Sequence, residues 1–584
     1  MIEKGSMTGE LGVAVARYRL AFVTVAILSA ALNVLVLGGS LYMMLVYDSV
    51  LPSHSLPTLF GLLAMVLVVY LFQSLFDTMR TRILSDVAAG LGRSLAARVQ
   101  QATSDLALRG GKVAGDGLTA MRDLDQIRGF LSGSGPGALI DLPWIIFFLG
   151  VLFLLHYWLG ITALAGAVVL LGLTFAADRR TRAPLRTASD LSARRNGMAE
   201  SNLRHVEVLT ALGMRRRMQD RWETVNTAHL VAQDDMARTA GVLGGVSRMF
   251  RLFLQSLILT VGALLVIDGK ASGGVIFASS ILSGRALAPV DSAIANWRGF
   301  AGARLGWKRL TELLERVPQP NEPPTKLPVP ERTLTVQQLA VAPPGTQRVT
   351  VHNADFTLNA GEALGIVGPS AAGKTSLGRA LIGVWKPVRG FVRLDGATLD
   401  QWHPETLGGF MGYLPQTVEL IDGSVADNIS RFDPEVESAA VIAAAQAAGV
   451  HDLIVQLPQG YETPVGTDGN TLSAGQRQRI GLARALYRDP FVVLLDEPNS
   501  NLDVAGEAAL ERAIRSIRMR GGIAILIAHR PSVLAQVSHV LFLRDGRMEA
   551  FGPRDEVLAK IAAKPALPKP KHDPTRADPA GKDV

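Results

Sequence analysis

Cysteine is absent from all 584 residues. That excludes a disulfide scaffold, a thiolate zinc site, a cysteine nucleophile and a c-type haem. Charge is scarce as well: Asp, Glu, Lys and Arg make up 19% of the chain, against ~25% in soluble domains. With 48% apolar residues and a mean hydropathy of +0.25, a disordered chain is excluded. The length exceeds one compact core, since domains average ~150 residues. The 59 Lys and Arg outnumber the 51 Asp and Glu, which points either to nucleic acid or to cytoplasmic membrane loops, and where the charges sit decides.

What the sequence does contain is long uncharged stretches. Leu20 to Tyr47 has no Asp, Glu, Lys or Arg and at 1.5 Å per residue exceeds the ~30 Å core of a bilayer. It is too long for a signal-peptide core and is expected to stay as an anchor. Ser49 to Phe76 is a second such stretch, and Leu142 to Ala177 is long enough for two passes turning near His156, Tyr157 and Trp158. Leu252 to Ile267 and Ala271 to Val290 complete six spans. Basic residues fall on alternate connections: Lys4, Arg17 and Arg19, then Arg80 to Arg128, then Arg179 to Arg217, whereas the fifth connection has only Lys270. Both termini are therefore expected in the cytoplasm. The net charge is topological, and nucleic acid is not an expected partner. The two long basic connections hold few turn residues and are expected as helical extensions of the spans. Asn33, Gln73 and Arg285 are intramembrane polar residues open to path-lining or packing roles.

The membrane domain is thus expected over residues 1–316, a Pro-rich linker over 317–330 and a soluble domain over 331–560. Short Val, Ile and Leu runs alternate there with Ala-rich helical segments, the pattern of a parallel sheet covered by helices. The tail, 561–584, is rich in Pro, Lys and Asp and is expected to be disordered.

Directly after the strand-like run Ala363 to Val367 stands Gly368-Pro369-Ser370-Ala371-Ala372-Gly373-Lys374-Thr375, followed by Ser376. This is a phosphate-binding loop in its strand-to-helix setting. Backbone N–H groups and the helix start cradle phosphates, Lys374 neutralises the terminal pair, and the Thr375 hydroxyl holds Mg2+. The apolar run Phe491 to Leu495 ends in Asp496-Glu497. Asp496 is expected to bind the metal through water and Glu497 to accept a proton from the attacking water. A third apolar strand, Ile523 to Ala528, ends in His529, suited to a transferred phosphate or to orienting the water.

Leu472-Ser473-Ala474-Gly475-Gln476-Arg477-Gln478, about twenty residues before Asp496, resembles the signature motif of ATP-binding cassette (ABC) proteins. The resemblance implies an α-helical six-span exporter-type membrane domain followed by an α/β P-loop nucleotide-binding domain. It also implies a homodimer in which Ser473, Gly475 and Gln476 of one copy contact ATP held at the other's Lys374. Gln416 matches the family's glutamine loop, which senses Mg2+, and Ser500-Asn501-Leu502-Asp503 matches the loop that crosses the dimer seam. Ala474 departs from the usual glycine, at a cost of ~1 kcal/mol if positive φ is needed there. Leu339 to Gly345 lacks the aromatic on which the family stacks adenine, so phosphate contacts are expected to dominate affinity.

Val46-Tyr47-Asp48, Val50-Leu51-Pro52-Ser53, Asp141-Leu142-Pro143-Trp144 and Asn296-Trp297-Arg298-Gly299-Phe300 resemble type I secretion transporters of the protease and haemophore branch. That implies ATP-driven export of an unfolded polypeptide with a C-terminal signal across the inner membrane, through a periplasmic adaptor and an outer-membrane channel. A lipid or small-molecule exporter is the alternative. With the first span beginning near residue 20, an N-terminal peptidase-like domain is not expected.

Overall fold

The computed structural model describes residues 9–110, 118–319, 327–466, 469–528 and 531–563. His529, residues 320–326 of the linker and residues 564–584 lie outside them. The chain divides into two compact units, Met1–Ala107 with Lys112–Gln319, and Leu108–Gly111 with Pro320–Val584.

The first unit is helical almost throughout. Among the described residues, five helical runs are long and apolar enough to cross a membrane: Arg19–Ser53, Leu56–Leu108, Tyr157–Arg204, Arg215–Ile267 and Gly273–Ala295. A sixth crossing arises if Gly135–Asp141 and Trp144–Leu155, bent by 44°, form one span. Phe60, Leu63, Leu67 and Leu71 are exposed along the second helix. Such a belt is costly in water and suited to lipid. Three helices have 53, 48 and 53 residues, roughly 70 to 80 Å at 1.5 Å each and more than twice the bilayer core. The basic connections are thus continuous with the spans. Leu252 to Ile267, expected as a short separate span, is the end of the Arg215–Ile267 helix, and the last span runs Gly273–Ala295 with Pro289 inside it. Phe148, Leu152, Leu159, Leu170, Ile258 and Leu282 form the buried centre of this bundle.

Polar ties fix its ends. The π-helical turn Val46–Val50 carries Asp48, whose Oδ2 accepts from Ser272 Oγ at 2.6 Å and whose Oδ1 accepts from the Gly274 N–H at 2.8 Å. Asp48 therefore caps the last span from the first, while Tyr47 stacks on Phe277 at 4.1 Å. Asn33 is committed to packing: its Nδ2 donates to Asp141 Oδ1 at 3.0 Å, and Arg80 pairs with Asp141 Oδ2 at 2.9 Å.

The second unit is built on a ten-stranded sheet: β1 (Thr333–Val341), β2 (Val351–Asn359), β3 (Ala363–Val367), β4 (Arg389–Leu394), β5 (Ala397–Thr398), β6 (Met411–Leu414), β7 (Val492–Asp496), β8 (Ile523–Ile527), β9 (His539–Arg544) and β10 (Arg547–Pro553). Their spatial order is β5-β4-β1-β2-β10-β9-β3-β8-β7-β6. Strands β9, β3, β8, β7 and β6 run parallel. The expectation of a parallel sheet fails for the other half, where β4–β5, β4–β1, β1–β2 and β9–β10 are antiparallel. The reason is local. Asp395-Gly396 and Asp545-Gly546 turn with positive φ at both residues, the geometry of a two-residue hairpin, which cannot join parallel strands. The helix Arg554–Ala563 runs three residues beyond the expected domain end at 560.

Candidate functional site

The expected site residues gather at the carboxyl ends of the central parallel strands, where open α/β sheets bind ligands. β3 delivers the phosphate loop. Gly373 has φ +96°, and a Cβ there would lie 2.5 Å from the Thr350 carbonyl oxygen, so only glycine fits. The helix Lys374–Leu381 begins at once, aiming its unpaired N–H groups at the loop. Lys374 Nζ donates to the carbonyls of Gly368 at 2.9 Å and Pro369 at 2.8 Å. Burial lowers the pKa of this lysine, against the opposing charges of Glu497 and Asp496.

β7 delivers the carboxylates. All five residues of Val492–Asp496 are buried, as two-sided covering demands. Burial raises the Asp496 pKa, opposed by a hydrogen bond from Thr375 and assisted by the charge of Glu497. Its Oδ1 is buried without a protein partner. A buried orphan oxygen beside a threonine hydroxyl and a phosphate loop fits the water shell of Mg2+. Among the described residues no group of three or more His, Asp or Glu could hold a metal alone. Mg2+ would therefore depend on nucleotide oxygens and water for its remaining positions. Glu497 has φ +49°, a strained conformation for a non-glycine residue. Its N–H bonds Ile527 O at 2.9 Å, and its Oε2 accepts from Gln416 Nε2 at 3.0 Å. The sheet thereby unites Lys374, Thr375, Asp496, Glu497 and Gln416.

The signature lies at the start of the helix Ala474–Leu486. Ser473 and Gln476 form a capping box: Gln476 N–H to Ser473 Oγ at 3.3 Å and Ser473 N–H to Gln476 Oε1 at 2.8 Å. Ala474 takes the first helical position without positive φ. The methyl group replacing the usual glycine thus carries no backbone cost. Asp503 caps the next helix, Val504–Met519, accepting from Gly506 N–H at 2.8 Å, and pairs with Arg479.

Gln478 stands within the signature stretch but was given no role from sequence; it is buried and bonded to the chain just after Glu497: Nε2 donates to Pro498 O at 2.7 Å, and Oε1 accepts from Asn501 Nδ2 at 3.0 Å. Its position three residues beyond Gly475, on the same helix face, was the available signal.

Comparison with known proteins agrees with this geometry. The ABC transporter family matches residues 351–500, and the ABC transporter transmembrane region matches 22–289. Among curated relatives, the type I secretion system ATP-binding protein PrsD of Rhizobium meliloti (strain 1021) is 50% identical over 93% of both chains. The exotoxin translocation ATP-binding protein PaxB of Pasteurella aerogenes is 29% identical over 93% of this chain and 77% of its own. Among solved structures, a bacterial Atm1-family ABC exporter with ATP bound aligns with a TM-score of 0.79 at 22% identity, over 94% of this chain and all of its own. At that identity it speaks for the fold.

Proposed function

The chain belongs to the ABC transporter family, among the type I secretion ATP-binding proteins, and from that premise we propose that it exports an unfolded polypeptide across the inner membrane at the expense of ATP. The observation that carries the reading is the 50% identity to a type I secretion ATP-binding protein over 93% of both chains, which spans the membrane motifs and the ATPase together. The nucleotide-binding domain and both termini face the cytoplasm, in keeping with the Lys and Arg on the alternate connections.

Two copies act together. Ser473 and Ala474 are exposed at the start of their helix, open to a nucleotide held at the partner's phosphate loop. In each site the loop 368–373, Lys374 and Ser376 bind the phosphates. Thr375, Asp496 and Gln416 are the residues that would hold Mg2+, which would supply positive charge against the phosphate oxygens. Glu497 accepts the proton of the attacking water while the water oxygen bonds the terminal phosphorus and the bond to the ADP oxygen breaks. His529 orients that phosphate. ATP drives the cycle only by binding the closed pair better than the open one. A periplasmic adaptor and an outer-membrane channel complete the path.

The test is the ATPase rate of the purified protein with and without the last ~60 residues of a secreted protein encoded nearby, a length that can act as a flexible peptide. A saturable, sequence-specific change supports polypeptide export. No response to the peptide, with stimulation by lipids or small molecules, replaces the substrate class and leaves the ATPase in place.

A further inference from the structure

Gln478 is almost fully buried, with 1% exposure, yet every polar atom of its carboxamide is engaged. Nε2 donates to Pro498 O at 2.7 Å and reaches Glu497 O at 3.5 Å, while Oε1 accepts from Asn501 Nδ2 at 3.0 Å and Ser500 Oγ at 3.3 Å. All four partners lie between residues 497 and 501. Two nearby residues meet the same stretch: Gly475, at i−3 on the same helix face, lies so close that a Cβ there would be 3.1 Å from Asn501 O, and Arg479, the next residue along, pairs with Asp503. The helix that begins at Ser473 and the loop that leaves Glu497 are therefore one piece. Glu497 also has the left-handed φ of +49°, which persists only when its surroundings over-determine it. Gln478 supplies restraint on its carbonyl side, as Ile527 O does on its N–H side.

We infer that Gln478 is a positioning residue for ATP hydrolysis: it transmits engagement of Ser473 with the nucleotide of one site to the backbone that aims Glu497 at the nucleotide of the other. This rests on the reading that two copies close on two nucleotides. A side chain acting only as packing would affect stability and leave the coupling between the two sites as it is. One acting as this link makes their hydrolysis cooperative.

The experiment uses the full-length purified protein in lipid and the variant Q478M, which keeps length and burial but none of the four hydrogen bonds. The expected result is a kcat lower on the order of tenfold or more, with the KM for ATP little changed and the Hill coefficient for ATP moving toward 1. N501A, which removes one bond from the loop side, should lower kcat less, and the double variant should be no worse than Q478M. Parental kcat and Hill coefficient in Q478M, or strictly additive effects of the two substitutions, overturn the inference. If Q478M fails to fold, the N501A result alone decides by the same two readouts. E497Q is the control: persistent hydrolysis there removes the base assignment, whereas an inactive E497Q beside a parental Q478M removes only the role of Gln478.

Discussion

Asp496 shows what a single residue costs and supplies. Its carboxylate stands at the end of a wholly buried strand with one oxygen unpaired, and burial raises its pKa above the usual 3.8. A carboxyl with a raised native pKa binds its proton more readily when folded. Its contribution to stability is therefore full below the unfolded pKa and is lost as pH rises through the raised native value. At neutral pH the ionised group is tolerated for its chemistry and does not stabilise the fold. The variant D496N should melt no lower than the parent at pH 7 while ATP hydrolysis falls at least a hundredfold. A melting point lowered by several degrees would mean that the charge is a structural partner. Lys374, Thr375, Asp496 and Glu497 were all legible in the sequence, because a glycine-bounded loop after one apolar run and a carboxylate pair after another leave little choice of chemistry. The role of Gln478 was not, because its place in the signature stretch does not say that its side chain is buried against a loop twenty residues further on.

At the scale of elements, the last membrane span depends on the first. The cap on Gly273–Ala295 comes from Asp48, and a Cβ on Gly274 would lie 2.5 Å from that carboxylate. Replacing Asp48 by Ala leaves the Gly274 N–H and the Ser272 hydroxyl without their acceptor, which costs about 1 kcal/mol. D48A should therefore lower the thermal midpoint of the detergent-purified protein by a few degrees without changing ATP affinity; an unchanged midpoint would show that lipid or water replaces the cap. In sequence the Tyr47-Asp48 pair shows only its resemblance to type I secretion transporters, since hydropathy describes one helix at a time. Its partners Ser272 and Phe277 lie more than two hundred residues away. The hairpins of the sheet were legible in principle: Asp395-Gly396 and Asp545-Gly546 are strong two-residue turn signals. The βα alternation around the phosphate loop drew the reading toward a fully parallel sheet instead.

For the whole molecule, the proposed pairing of two copies rests on Ser473 and Ala474 being exposed at the start of their helix. E497Q, which retains the phosphate loop but lacks the base, should accumulate with ATP as a dimer holding one nucleotide per chain, measured by mass photometry and nucleotide extraction. A monomer under those conditions would remove the composite site. The phosphate loop, the carboxylate pair, the signature and the apolar stretches of the membrane domain could be read from the chain alone, because each is written in a contiguous run whose period or spacing is its own physical cause. Only the tertiary structure decided which strands turn back on their neighbours, how Asp48 reaches the last span and how Gln478 grips the chain after Glu497. Those contacts join residues far apart in sequence, and their energy comes from burial and hydrogen-bond geometry that exist only once the chain has closed on itself.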